Sequence, residues 1–180
     1  MDTRDIERFI RRDRVCRSVF QGVFSSDTLP KNPRLLICNT DPSHKPGQHW
    51  IAIYVDQYGR GEYFDSFGRP PGDYFKHYMN KHCGRRWTFN KRQLQSIISR
   101  FCGYYCCFYC MFRRRGVNMN RIVNHFTSDT AFNDSLVHSF VCNKPIETYS
   151  PVFVINNNTN SKYKIHHFYS MNNRRFTLSR

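Results

Sequence analysis

Strand-like runs gathered in the first half of the chain and apolar helical segments gathered in the second predict an α+β fold. Of the 180 residues, 39% are hydrophobic and 16% aromatic, the make-up of a packed globule rather than a disordered chain. A chain of this size reads as one domain burying about 70% of its unfolded surface, so folding calls for no cofactor or covalent staple. We assign that domain to 1–142, with a C-terminal extension over 143–180 rich in Asn, Ser and Tyr. The extension is either poorly ordered or an added edge strand built on its single β-like run, 152–155.

A helix opens the chain over 3–13, because Ile6, Phe9 and Ile10 recur at helical spacing behind Thr3 as a cap, and its other face is basic. Residues 20–30 carry Gly22, Asp27 and Pro30 among apolar neighbours and read as a structured loop feeding a short buried strand at 35–38. Two runs of β-formers, 48–55 and 62–67, flank the turn Gln57-Tyr58-Gly59-Arg60-Gly61 and pair as a hairpin. That pairing brings His49 and Asp65 to one sheet edge, within about a residue of register. Pro70-Pro71-Gly72 stops the strand, and a helix follows over 73–82 with Tyr74, Phe75 and Tyr78 inward. Residues 87–90 form another short strand. The most apolar helix spans 102–115, capped by Gly116, with Arg113, Arg114 and Arg115 favourably placed against its dipole. Helices over 119–126 and 131–142 complete a helical layer.

The formal charge of +15 and a pI near 9.8 point to a polyanionic partner, with nucleic acid favoured because each phosphate neutralised releases a counterion. The cations cluster at Arg4, Arg8, Arg11, Arg12, Arg14 and Arg17, at Lys81, Arg85, Arg86, Lys91 and Arg92, and at Arg113 to Arg115. The alternative for any single cluster is a solvated surface. No apolar run approaches the roughly 20 residues of a membrane span, and the Arg-rich start lacks the apolar core of a signal peptide. Four of the eight cysteines fall between Cys102 and Cys110 on one helix, where neighbours cannot bridge. A reducing compartment follows, so the glycosylation-like triplets at Asn133 and Asn157 carry no weight.

Thiol-nucleophile chemistry asks for a nucleophile, a base, a group orienting that base and an oxyanion donor. Cys102, in Phe101-Cys102-Gly103-Tyr104-Tyr105-Cys106, opens a helix whose dipole and free N–H groups favour the thiolate, and Gly103 leaves the amides unobstructed. The competing reading is a buried structural thiol. His49 is the base and Asp65, among aromatic neighbours that imply burial, its orienting carboxylate; His44 is the weaker alternative. Gln95 offers a neutral amide for the oxyanion. Cys106 and Cys110 share the Cys102 face but lie deeper, as core residues. Cys107 and Cys110 form a Cys-x-x-Cys, yet no second pair stands at zinc-site spacing, so no metal is assigned.

His49-Trp50, Asp65-Ser66-Phe67-Gly68, Gln95 and Cys102-Gly103 together resemble the adenovirus endopeptidase (adenain) family and the related proteases of Polinton-like and adintovirus elements. More distantly they resemble the ubiquitin-like-protein proteases. The resemblance covers about 20–142, including Phe20-Gln21-Gly22-Val23 and the segment from Asp27 to Pro30. It implies a papain-like or adenain-like cysteine protease fold, with a mixed sheet packed against a central nucleophile helix. It also implies a catalytic set of Cys102 as nucleophile, His49 as base, Asp65 as acidic member and Gln95 as oxyanion donor. Such a protein cleaves viral or mobile-element precursors beside small residues such as Gly, acts as a monomer away from membranes, and resides in the host nucleus or virion. No cofactor is required for the chemistry. A viral peptide and DNA are the expected activators, and Cys83 is the position nearest the family's activator-pairing cysteine. The competing functions are a protease of ubiquitin-like modifiers and a nonenzymatic basic DNA-binding protein on the same fold.

Overall fold

The computed structural model describes residues 1–142, so the extension over 143–180 and its run at 152–155 lie outside the described residues. The elements follow in the order α1 (Thr3–Arg12), α2 (Arg14–Arg17), β1 (Phe20–Phe24), β2 (Leu35–Asn39), β3 (Trp50–Val55) and β4 (Gly61–Phe64), then α3 (Asp73–Cys83), β5 (Trp87–Phe89), α4 (Cys102–Arg114), α5 (Met119–Asn124) and α6 (Thr130–Cys142). The five strands form one mixed sheet in sequence order. β1 runs parallel to β2, β2 and β3 are antiparallel, β3 and β4 form the expected hairpin, and α3 crosses over to bring β5 parallel to β4.

Period-2 alternation divides the strand side chains between two cores. Leu35, Ile37, Ala52 and Phe64 face a large layer made by α1 and α4 to α6, whereas Leu36, Cys38, Ile51, Ile53 and Tyr63 face α3 alone. β2 is buried along its whole length because helices cover both of its faces. α4 runs through the larger core, with Phe64 stacked on Tyr109 at 4.6 Å between centroids and Phe108 packed against Phe112, Phe126 and Phe140.

Four local expectations are corrected. Residues 20–24 are an edge strand instead of a loop; a bulge between Phe20 and Gly22 breaks the alternation that would have marked it. The first helix is capped by Asp2, whose carboxylate accepts from the Asp5 N–H at 2.8 Å in a reciprocal box, so Thr3 is already helical. On α3, Tyr74 is exposed and the inward stripe is Phe75, Tyr78, Met79 and Cys83. Glu62 to Phe67 is strand only as far as Phe64. Gly116 does follow α4, at φ +85°, where a side chain would be strained.

One polar cluster ties α4 to the sheet. Glu62 accepts from the Tyr109 hydroxyl at 2.6 Å and from Arg113 Nε at 2.7 Å, while the Arg113 guanidinium lies 4.0 Å from the Tyr54 ring centroid. Removing the carboxylate strands a half-buried cation and a buried phenol. Glu62→Ala is expected to cost about 3 kcal/mol, read as a lowered urea midpoint at unchanged slope; a loss under about 0.5 kcal/mol would show the cluster to be a surface ion pair.

Candidate active site

Strict alternation would turn His49 toward α3, on the wrong side of the sheet from α4. The strand begins only at Trp50, however, and His49, half-buried just outside the pleat, is held by its carbonyl accepting from the Thr40 N–H at 2.9 Å. Asp65 likewise sits one residue beyond β4. Its backbone is gripped by Asn90, whose side chain accepts from the Asp65 N–H at 2.8 Å and donates to the Asp65 carbonyl at 2.6 Å. The chain then turns back, with the Gly68 N–H on the Asp65 carbonyl at 2.8 Å. Gly68 is required there, because at φ +68° a Cβ would come within 2.5 Å of the Arg92 backbone.

These two chain ends meet as the pairing predicts. His49 Nε2 lies 2.7 Å from Asp65 Oδ1, and the same oxygen accepts from the Phe67 N–H at 2.8 Å. Phe67 also covers the imidazole, ring centroids 4.9 Å apart. With Nε2 engaged, Nδ1 is the nitrogen left for the Cys102 thiol, to which His49 is also hydrogen-bonded. Cys102 is the first residue of α4 and 8% exposed. The backbone N–H groups of Trp50 and Gly103 hydrogen-bond to its sulfur.

Burial opposes charge on both groups, and the pair overcomes it. Desolvation alone would lower the His49 pKa, but its hydrogen bonds and charge interactions with Asp65 and Cys102 raise it to about 9. Desolvation alone would raise the Cys102 pKa; His49 and the two amides hold it below the usual thiol value. Both shifts favour a thiolate facing an imidazolium. The other core thiols go the opposite way: burial pushes Cys16 up to about 12 and raises Cys38, Cys83, Cys106, Cys107 and Cys110.

Gln95 joins this group through its neighbours. Its Oε1 accepts from the Ser66 hydroxyl at 2.7 Å, next to Asp65 in the chain, and its Nε2 donates to the Ser99 carbonyl at 2.9 Å. The segment that carries Gln95 is fixed from several sides. The Leu94 and Gln95 N–H groups donate to the Ser66 carbonyl at 2.8 and 3.1 Å, Asn133 Nδ2 donates to the Leu94 carbonyl at 3.0 Å, and Arg92 Nη2 donates to the Phe126 and Thr127 carbonyls at 2.6 Å each. Asn90 and Ser66 therefore position the site although sequence reasoning missed them. A buried Asn ending a strand and a Ser beside an acidic candidate look like ordinary polar surface, and only the aromatic company of Ser66 signalled burial.

The remaining candidates fall elsewhere. His44 is exposed, in the loop where Ser43 is bound to Asp27. Cys83 is buried at the end of α3 in the smaller core, so pairing with a peptide would require that helix end to open. Cys106, Cys107 and Cys110 are fully buried in the larger core. Of the basic clusters, Arg4, Arg8, Arg11, Arg12, Arg14 and Arg17 are exposed, as are Lys81, Arg85, Arg86, Lys91 and Arg114. Arg92, Arg113 and Arg115 are committed internally, Arg115 to the buried Asp13 at 2.5 Å. No helix among the described residues is long and apolar enough to cross a membrane.

No protein-family model and no curated protein matches the sequence. Among solved structures, the crystal structure of the ASFV pS273R protease matches with a TM-score of 0.55 at 20% identity, covering 76% of this chain and 66% of that one. Its selenomethionine form gives 0.52 at 19% identity, over 77% and 66%. The chain thus spans just under two thirds of that protease's length. At this identity the likeness is one of fold, and the fold is a papain-like or adenain-like cysteine protease fold.

Proposed function

We propose that the chain is a cysteine endopeptidase. The observation that carries this reading is a single imidazole hydrogen-bonded on one side to a buried carboxylate, at 2.7 Å, and on the other to a thiol at a helix start. The Cys102 thiolate attacks the scissile carbonyl, the charge developing on oxygen is met by the second N–H of Gln95, and His49 passes its proton to the leaving amine. Water activated by the now neutral His49 then hydrolyses the acyl-enzyme. Asp65 holds the imidazole so that Nδ1 faces sulfur throughout.

The finer reading keeps the adenain type. The motif series from His49-Trp50 to Cys102-Gly103 supports an enzyme of viral or mobile-element origin that matures precursor proteins beside small residues, in the nucleus or virion. The exposed arginines of α1 and α2 support DNA association by phosphate contact.

The test is thiol alkylation at pH 6 followed by residue-level mass spectrometry. Cys142, the one exposed cysteine, serves as the internal reference. Iodoacetamide is expected to modify Cys102 at least about tenfold faster than Cys142, because only a depressed pKa leaves thiolate at that pH. Labelling of Cys142 first would remove the activated thiol and the reading with it.

A further inference from the structure

Arginines stacked on aromatic rings recur in this molecule, and one of them is built differently from the rest. Among the described residues, four guanidiniums lie over rings: Arg11 on Phe20, Arg60 on Tyr58, Arg69 on Phe67 and Arg113 on Tyr54. Arg11, Arg60 and Arg113 are each also paired with a carboxylate, that of Glu7, Asp56 and Glu62 respectively. Arg69 is exposed and has no carboxylate partner among the described residues. A guanidinium stacked on a ring keeps N–H donors free at the edge of its plane, where a carboxylate can accept two parallel hydrogen bonds.

The ring beneath Arg69 belongs to the candidate site. Phe67 covers the His49 imidazole, centroids 4.9 Å apart, and the Arg69 guanidinium carbon lies 4.9 Å from the same Phe67 centroid, so it stands within about 10 Å of the imidazole centre. That span is about three residues of extended peptide. The backbone on either side of Arg69 is constrained: Gly68, at φ +68°, closes the turn onto the Asp65 carbonyl, and Pro70 and Pro71 restrict the chain that follows. The cation thus reaches solvent from a fixed base beside the imidazole.

We propose, resting on the protease reading, that Arg69 is a specificity-determining residue that pairs with an Asp or Glu side chain of the substrate polypeptide within about three residues of the scissile bond. The substrate supplies the carboxylate that Glu7, Asp56 and Glu62 supply to the other three stacked arginines. Stacking on Phe67 already restricts the long side chain, so less rotamer freedom is lost when the acid binds. The position favours a substrate carboxylate over a nucleic-acid phosphate, because Arg69 rests on the ring that covers the imidazole and the imidazole must meet a polypeptide. A small residue at the cut discriminates weakly, whereas a charge-assisted pair beside it separates acidic from neutral sequences.

The experiment compares the wild-type chain with Arg69→Gln and Arg69→Glu on two sets of acetylated, amidated peptides that share one small-residue centre and one composition. One set carries Glu two or three residues to either side of the cut; the other carries Gln there and the Glu at the far end of the peptide, so that attraction to the +15 chain is the same for both. The wild type is expected to favour the near-Glu set by about tenfold in kcat/KM, less at high salt. Arg69→Gln is expected to cleave both sets at similar rates, and Arg69→Glu to favour the Gln set. Iodoacetamide modification of Cys102 is expected at the same rate in all three proteins, which assigns any change to substrate contact. A wild type that cleaves both sets alike, or an Arg69→Gln variant that keeps the Glu preference or slows both sets equally, overturns the proposal alone; weaker binding of duplex DNA by that variant would then assign the cation to phosphate. Rapid Cys102 alkylation with no cleavage of either set overturns the endopeptidase reading and this proposal together.

Discussion

Cys102→Ala is expected to lower kcat/KM for peptide hydrolysis by about 10⁴-fold or more, leaving only what substrate positioning and the oxyanion donors supply. The substitution is mild for the fold. Ala is the best helix former, Cys102 occupies the first position of α4, and its side chain meets the site rather than the interior of the larger core. Far-ultraviolet dichroism and the urea midpoint should therefore stay close to wild type. Cys106→Ala is the informative contrast. That thiol lies one turn deeper, fully buried, with its pKa raised by desolvation, so its loss should act on stability and spare the chemistry. Activity that survives in Cys102→Ala while folding is intact would move the nucleophile elsewhere; among the other cysteines, only Cys142 is exposed.

Those two cysteines show what was legible before any coordinates. Their spacing put Cys102, Cys106 and Cys110 on one helix face, and the dipole argument separated the first from the others. Cys106 and Cys110 do lie in the core, where desolvation pushes their thiols up, whereas at Cys102 desolvation is outweighed by interactions with His49 and the helix-mouth amides. The hairpin was legible for a similar reason: two β-forming runs around a Gly-containing turn leave few registers, and the one adopted brings His49 and Asp65 to one edge.

What escaped the sequence was the fate of polar side chains. Asn90 and Ser66 are buried and satisfied, Asn90 through backbone groups 25 residues away in the chain, and no local pattern marks such a partner. The arginines misled in the same way. Arg92 reads as part of a basic run with Lys91, yet its guanidinium donates to the Phe126 and Thr127 carbonyls just beyond α5, and Arg115 reads as helix-terminal surface, yet it neutralises Asp13. Such assignments depend on which distant groups would otherwise stay unpaired. β1 was missed because Gly22 and its bulge interrupt the one signal, alternation, on which strand recognition rests.

Asp65 gives the second large effect, and two substitutions divide its work. Asp65→Ala removes both the charge and the oxygen that Nε2 meets, so the imidazole loses its orientation, and kcat/KM should fall by about 10³-fold or more. Asp65→Asn can keep an acceptor at the Oδ1 position, because the Phe67 N–H at 2.8 Å favours oxygen over the amide nitrogen there. Only the charge is lost, and the decrease should be nearer tenfold. The pH profile reports the same difference. In the wild type the rate falls on the acid side as the Cys102 thiolate takes up a proton, below the usual thiol value, and on the alkaline side near pH 9 as His49 loses the proton destined for the leaving amine. Without the carboxylate, the raised His49 pKa loses one of the interactions that offset its burial, so the alkaline limb of Asp65→Asn should move below pH 9. An Asn variant as inactive as Ala would assign the effect of Asp65 to charge, and an Ala variant within tenfold of wild type would mean that the Phe67 ring and the Thr40 contact orient His49 without it.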